Sequence, residues 1–323
     1  MKGIRLNATG GPEVLQLVDL EVPAPGPGQI RVRQTAIGVN YIDTYHRSGL
    51  YPLKLPSGLG MEGAGEVDAV GEGVTRFAPG DRVAFASGPI GAYAELHCVD
   101  AARAVRVPEG VDDRAAAAAL LKGMTAEFLL LRCRPVAPGE TVLIHAAAGG
   151  VGQILVQWAK ALGAQVIATA GSAAKGDRVR DLGADHVILY GEQDVAAEVR
   201  RITGGAGVPV AYDSVGAATF EGTLASLSRR GVFVSFGNAS GPPPAVEPGR
   251  LMRMGSLFLT RPTLGDYVAT TEELDASAGA VFARIASGEI EIEIGQTFPL
   301  SQARAAHEAL ESRQTVGSTL LVP

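Results

Sequence analysis

Residues Thr141 to Gly163, TVLIHAAAGGVGQILVQWAKALG, restrict the fold of this chain more than any other stretch. Thr141 to Ala146 is an apolar and β-branched run without alternation, the pattern of a parallel strand buried on both faces. Gly149, Gly150 and Gly152 follow, and then Ile154, Leu155, Trp158 and Leu162 recur at spacings that give a helix one apolar face. A buried strand, a glycine turn and an amphipathic helix open a dinucleotide-binding βαβ unit. The chemistry explains the glycines. A pyrophosphate is held by backbone N–H groups at the positive end of a helix, and side chains at the turn would keep it away. The motif reads Ala147-x-Gly149-x-x-Gly152, with alanine in the first glycine position. In a chain with 42 glycines such a string alone is weak, and the flanking strand and helix give it meaning.

Strand and helix patterns continue to alternate after the turn. QVIATAGS (Gln165 to Ser172), HVILY (His186 to Tyr190), PVAYDSVG (Pro209 to Gly216) and GVFVSFGN (Gly231 to Asn238) read as strands with helices between them, and Ser256 to Thr260 as a last strand. The fold class is therefore α/β, with a doubly wound parallel sheet. The 323 residues exceed what one core supports, so a second domain is expected. Residues 1 to about 120 supply it, as short strands broken by Gly and Pro that suggest a β-rich partial barrel. A helical run from Ala115 to Leu131 leads to the organising strand. The segments Glu272 to Ile285, Ile290 to Phe298, Ser301 to Ser312 and Thr319 to Val322 are expected to return to the first domain.

The second strand of the sheet selects the dinucleotide. An NAD site places an acid about 20 residues beyond the glycines, on the ribose 2′-hydroxyl. Here Thr169-Ala170-Gly171-Ser172 has no acid, and Ser172 and Lys175 stand at the strand end with Arg178 beyond. A hydroxyl and an ammonium suit a 2′-phosphate that a carboxylate would repel, which favours NADPH. In the first third, Asn40, Asp43, Tyr45 and Tyr51 lie within VNYIDTYHRSGLY, read as a loop. Clustered tyrosines can stack on a flat ring and donate to its carbonyl, so this segment is the candidate acceptor site.

Composition removes other classes. A net charge of −6 disfavours nucleic acid as the main partner, although Arg200-Arg201 and Arg229-Arg230 could make local patches. No apolar run approaches a membrane span, and MKGIRLNATG lacks a signal peptide's apolar core, so a cytoplasmic protein is expected. Cys98 and Cys133 have no neighbours at metal spacing and read as small buried hydrophobes. His307-Glu308 lacks a second histidine four residues on, where Glu311 stands, so an H-E-x-x-H zinc site is excluded. No G-x-S-x-G elbow of a serine hydrolase is present. Arginine dominates lysine and asparagine is scarce, which fits heat adaptation and a GC-rich genome equally.

GVNYIDTYHRSGLY (Gly38 to Tyr51), LPSGLGMEGAGEV (Leu55 to Val67), HAAAGGVG (His145 to Gly152), YDSVG (Tyr212 to Gly216), VSFGN (Val234 to Asn238) and the closing ALESRQTVGSTLLVP together resemble the medium-chain dehydrogenase/reductase superfamily, in its zeta-crystallin-like quinone oxidoreductase branch. The resemblance covers nearly the whole chain. It implies a GroES-like catalytic domain at 1–122, an NADPH-binding Rossmann domain at 123–262, a return to the catalytic domain at 263–323, and a homodimer joined by edges of the nucleotide domains. It places Asn40 and Thr125 near the nicotinamide ribose, and Ala148, Gly149, Gly150, Val151 and Gly152 on the pyrophosphate. Ser172, Lys175 and Tyr190 would surround the 2′-phosphate. Ser214, Phe236, Gly237, Asn238 and the strand from Phe258 to Thr260 would line the nicotinamide side, with Arg313 reaching in from the tail.

The zinc alcohol dehydrogenases of the superfamily carry a His-Glu pair where this chain has Met61-Glu62, and they carry a four-cysteine lobe that it lacks, so no metal is expected. The implied reaction is hydride transfer from NADPH to a quinone, with Asn40, Tyr45 and Tyr51 as catalytic candidates. Reduction of an α,β-unsaturated aldehyde or ketone would use the same parts. A protein of another class, one that holds NADPH or nucleic acid without turnover, is the remaining alternative.

Overall fold

The computed structural model describes all 323 residues. The chain divides into two compact units, one of Met1–Met124 with Val268–Pro323 and the other of Thr125–Tyr267. The cuts thus fall after 124 and 267, against the expected 122 and 262. Tyr267 stays with the second unit because its ring stacks on Phe128 at a centroid distance of 4.3 Å. Val268 joins the first, its carbonyl accepting from Arg103 at 2.7 Å.

The first unit contains β1 (Lys2–Arg5), β2 (Gln16–Asp19), β3 (Gln29–Val39), α1 (Tyr41–Ser48), β4 (Glu62–Val70), β5 (Arg82–Phe85), β6 (Leu96–Asp100), β7 (Ala104–Arg106) and α2 (Asp113–Phe128), the last of which runs on into the second. β3 is its spine. Ile30, Val32 and Gln34 turn inward while Arg31 and Arg33 turn outward to Asp68, and from Ala36 onward both faces are covered.

The residues read as a loop, 40–51, instead form the helix α1, flanked by its caps. Asn40 precedes it in an extended conformation, and the Asp43 carboxylate reaches back to accept the Asn40 N–H at 2.9 Å. Gly49 ends it in the left-handed region with φ 85°, which costs glycine little. An apolar period could not reveal this helix, because the side it buries is largely polar: Asp43, Thr44, Tyr45, His46 and Arg47.

The second unit is built from β8 (Thr141–Ile144), α3 (Gly150–Ala161), β9 (Gln165–Ala170), α4 (Ala173–Asp181), β10 (His186–Leu189), α5 (Val195–Ile202), β11 (Val208–Asp213), α6 (Phe220–Ser226), β12 (Leu227–Ser235), α7 (Pro248–Arg253), β13 (Phe258–Thr260) and α8 (Leu264–Tyr267). Its six strands are all parallel, in the order β10-β9-β8-β11-β12-β13. The order reverses between β8 and β11, and in such sheets ligands bind at the carboxyl ends of the strands beside that reversal. Val142, Leu143, Ile144, Val166, Ile167, Val210 and Ala211 are wholly buried, which is why these strands show no alternation.

The tail returns to the first unit as α9 (Thr271–Ala286), β14 (Ile294–Pro299), α10 (Ala303–Glu311) and β15 (Ser318–Val322). There β15 pairs antiparallel with β3 and completes a seven-stranded sheet, β14-β15-β3-β4-β5-β7, with β6 also on β3. No helix is long and apolar enough to cross a membrane.

Candidate active site

In the second unit the glycine turn leaves β8 at the sheet's reversal point. Ala146 holds a left-handed φ of 49°, which folds the chain back toward α3. Gly152 meets this turn so closely that a Cβ there would lie 2.4 Å from the Ala146 carbonyl oxygen and 2.7 Å from the Ala147 Cα. Any side chain would push helix and turn apart. Gly149 stands just outside the helix in extended conformation. The first amides of α3, those of Gly150, Val151 and Gly152, have no acceptor within the helix and carry its positive end. Ala148 is buried behind them, and its carbonyl accepts from Gln153 at 3.2 Å. The turn thus has the backbone donors and the bare surface that a diphosphate requires.

The loops after β11 and β12 flank this turn, and a buried carboxylate shapes them. Asp213 accepts from the amides of Val215 (2.7 Å) and Gly216 (3.1 Å) through one oxygen and from the hydroxyls of Thr219 (2.6 Å) and Thr223 (2.9 Å) through the other. Because Thr223 donates to the carboxylate, its oxygen is left to accept from Nε2–H of His145, 3.0 Å away. Nδ1 of His145 then accepts from the Thr169 hydroxyl at 3.2 Å. Burial holds this imidazole's pKa below the ordinary histidine value, in keeping with the neutral ring these bonds demand. Gly237 lies against Ser214, where a Cβ would be 2.4 Å from the Ser214 carbonyl oxygen, so Ser214, Phe236, Gly237 and Asn238 form one wall.

At the ends of β9 and β10, Ser172 caps α4 by accepting the Lys175 N–H at 3.4 Å. Tyr190 lies over Gly171, its hydroxyl 2.5 Å from where a Cβ would sit. Ser172, Lys175 and Tyr190 are therefore gathered in one place. Thr125 is half-buried on α2. Phe258 and Thr260 are placed differently: β13 is the outer edge of the sheet, two strands beyond β11, and Phe258 is 60% exposed.

The first unit gathers Asn40, Tyr45 and Tyr51 on and around α1. The Tyr45 ring packs edge-on against Tyr51 at 5.2 Å and lies 5.6 Å from Tyr41, while the Tyr51 amide bonds the Tyr45 carbonyl. Arg313, just past α10, hydrogen-bonds the Tyr41 hydroxyl, whose pKa burial raises and Arg313 restrains. Beneath α1 runs a chain of polar side chains that sequence reasoning missed. Arg47, 2% exposed, grips the Glu311 carboxylate with both terminal nitrogens (2.9 and 2.6 Å) and lies 3.1 Å from His307 Nδ1. A guanidinium only donates, so Nδ1 accepts and the ring proton sits on Nε2. Nε2–H therefore donates to the Tyr93 oxygen at 3.0 Å, and the Tyr93 hydroxyl donates to Asp43 at 2.9 Å. Burial and the neighbouring guanidinium drive His307 down to about 3, while burial pushes Asp43 up to about 7. His307 and Glu311 are one helical turn apart on α10, and that spacing was the signal available in the sequence. It marks a clamp on an arginine rather than a metal site.

Glu62 and Lys122 form a second buried group in this unit, with a carboxylate–ammonium distance of 3.2 Å. The same carboxylate accepts from Asn40 Nδ2 at 2.8 Å and from the Leu121 amide at 2.7 Å.

The chain is similar to known proteins over its whole length. Residues 26–109 match the alcohol dehydrogenase GroES-like domain and residues 150–278 match the family described as zinc-binding dehydrogenase. The chain is 53% identical to a quinone oxidoreductase of Pseudomonas aeruginosa, over 100% of this chain and 99% of that one. It is 43% identical to a 2-haloacrylate reductase of a Burkholderia species, over 98% of both chains. The crystal structure of Escherichia coli quinone oxidoreductase complexed with NADPH superimposes with a TM-score of 0.99 at 48% identity, covering 100% of both chains.

Proposed function

The chain belongs to the quinone oxidoreductase family of medium-chain dehydrogenases/reductases, and from that premise we propose that it reduces a quinone with NADPH as the electron donor. The glycine-lined turn at the sheet's reversal, with Ser172, Lys175 and Tyr190 in place of an acid at the end of β9, carries this reading. NADPH, when bound, supplies the hydride. The chain's own residues supply the rest. The first amides of α3 hold the pyrophosphate, and Ser172 and Lys175 take the 2′-phosphate. Asn40 and Thr125 hold the nicotinamide ribose, and Ser214 with Phe236 to Asn238 fixes the nicotinamide side. Arg313 is assigned to the cofactor as well.

Tyr45 and Tyr51 are assigned to the acceptor, where a hydroxyl donates to the oxygen that becomes negative during reduction. A preorganised donor of that kind is worth about 2.7–4 kcal/mol to the transition state. Zinc does not fit the equivalent of the alcohol dehydrogenase metal position. The donors there are the Met61 thioether and a Glu62 carboxylate already engaged by an ammonium and an amide.

The protein is further proposed to be a cytoplasmic homodimer, in keeping with its two free thiols and with the exposed Met252, Phe258 and Leu259 on or near the unpaired edge of β13. Light scattering of purified protein tests the dimer, which Phe258→Asp should dissociate. The activity is tested by following NADPH consumption with a series of quinones and with 2-haloacrylate. Turnover is expected with quinones and preferentially with NADPH over NADH, and protein that consumes NADPH with no quinone would refute the reading.

A further inference from the structure

We infer that Glu62 and Lys122 are positioning residues that fix which way round the Asn40 carboxamide faces, so that Asn40 offers its carbonyl oxygen to a hydroxyl of the bound cofactor. The inference rests on the reading above that Asn40 meets the nicotinamide ribose.

Glu62 is wholly buried and fully engaged. One oxygen takes the Leu121 amide at 2.7 Å, and the other takes Asn40 Nδ2 at 2.8 Å and the Lys122 ammonium at 3.2 Å. The backbone of β3 makes room for it at Gly38, where a Cβ would lie 2.2 Å from that second oxygen and 2.3 Å from the Ala117 carbonyl oxygen. Glutamate and glycine therefore form one fitted pair.

A carboxamide is symmetric in shape and opposite in chemistry at its two ends, and ordinarily its neighbours decide which end faces where. A carboxylate only accepts, so it can face only the NH2 end of Asn40, and Oδ1 must point away from it. Lys122, 5% exposed, balances the buried negative charge. A protonated carboxyl in its place could also donate, and Asn40 would then be held in either orientation. The backbone of Asn40 is fixed independently, through its N–H bond to Asp43 at 2.9 Å. At its oxygen end the Asn40 side chain faces the Asp43 N–H of the capping box, too loosely for a side-chain hydrogen bond, so the bond that holds the carboxamide in this orientation is the one from Nδ2 to Glu62.

The test is the double variant Glu62→Gln/Lys122→Met. It removes both charges together, so no ion is orphaned in the core, and it replaces an obligate acceptor by a group that can present either end to Asn40. Binding of NADPH and of 2′,5′-ADP, which lacks the nicotinamide ribose, is measured for wild type, the double variant, Asn40→Ala and the triple variant. Asn40→Ala should bind NADPH about five- to tenfold more weakly, the loss expected for one hydrogen bond. The double variant should bind it about twofold more weakly, because Asn40 then faces the right way in about half of the molecules, and both should bind 2′,5′-ADP as wild type does. On the Asn40→Ala background the two substitutions should add nothing.

Wild-type NADPH affinity in the double variant, a parallel loss of 2′,5′-ADP, or a full additional loss on the Asn40→Ala background would each overturn the inference. If Asn40→Ala itself left NADPH binding unchanged, the assignment of Asn40 would fall, a failure distinct from the others. Should the double variant not fold, Glu62→Asp retracts the same carboxylate from Asn40 while keeping its charge, and must show the same selective loss.

Discussion

The glycine turn of the second unit and the polar chain under α1 of the first are opposite solutions to holding a charge. The turn is contiguous, residues 146–152, and its working groups are backbone amides left over at a helix start. The chain under α1 joins Asp43, Arg47, Tyr93, His307 and Glu311, drawn from across the sequence, and every working group is a side chain. The first is sensitive to any added atom. The second is sensitive to any removed one, because each member satisfies the next and a half-satisfied buried network costs more than none.

Gly152→Ala breaks the comparison most severely. Its methyl must displace backbone at 2.4 Å, so NADPH affinity is expected to fall by about a hundredfold or more, with about 1–3 kcal/mol lost in denaturant unfolding. Next is Glu311→Ala, which strands the Arg47 guanidinium in the core. It should cost about 3 kcal/mol by the same unfolding measurement, at the low end of the range because Glu311 itself is 35% exposed. NADPH binding to the folded fraction should be little changed, the reverse of the Gly152→Ala result.

His307→Gln sharpens the contrast through pH. The folded pKa of His307, about 3, lies below its ordinary 6.5, so between those values the unfolded chain binds more protons and stability is lost as pH falls. Asp43 acts in the other direction. Its folded value of about 7 lies above 3.8, so its contribution is full below 3.8 and is lost as pH rises through 7. The two oppose each other over the shared window. Removing His307 leaves Asp43 unopposed, and unfolding free energy plotted against pH should tilt by about 1.4 kcal/mol per unit relative to wild type, toward greater stability in acid. The smallest effect is expected from Lys175→Ala, which leaves the turn intact and should cut the preference for NADPH over NADH by about tenfold in kcat/KM. An unchanged preference would remove Lys175 from the 2′-phosphate site.

Much of the second unit was legible because its instructions are local. The run Val142 to Ile144, the glycines and the apolar face of α3 lie within one stretch, and the absence of an acid after Ala170 could be read directly. α1 was misread for a physical reason. Apolar periodicity detects helices that bury hydrocarbon, and this one buries Asp43, His46 and Arg47. Glu62 was visible only as a departure from the zinc pattern, since nothing near it in sequence announces Lys122, 60 residues on.

The sequence by itself determined the strand–turn–helix, the lack of an acid after Ala170 and the place of Met61 beside Glu62, since each follows from residue types within a few positions of one another. Only the tertiary structure decided that Glu62 faces Asn40 and Lys122, that His307 and Glu311 close on Arg47, and that Phe258 lies at a sheet edge. Those outcomes depend on which distant side chains the fold forces to share a buried volume. There a charge or a polar group must find its partner inside the protein, because water is not available to serve instead.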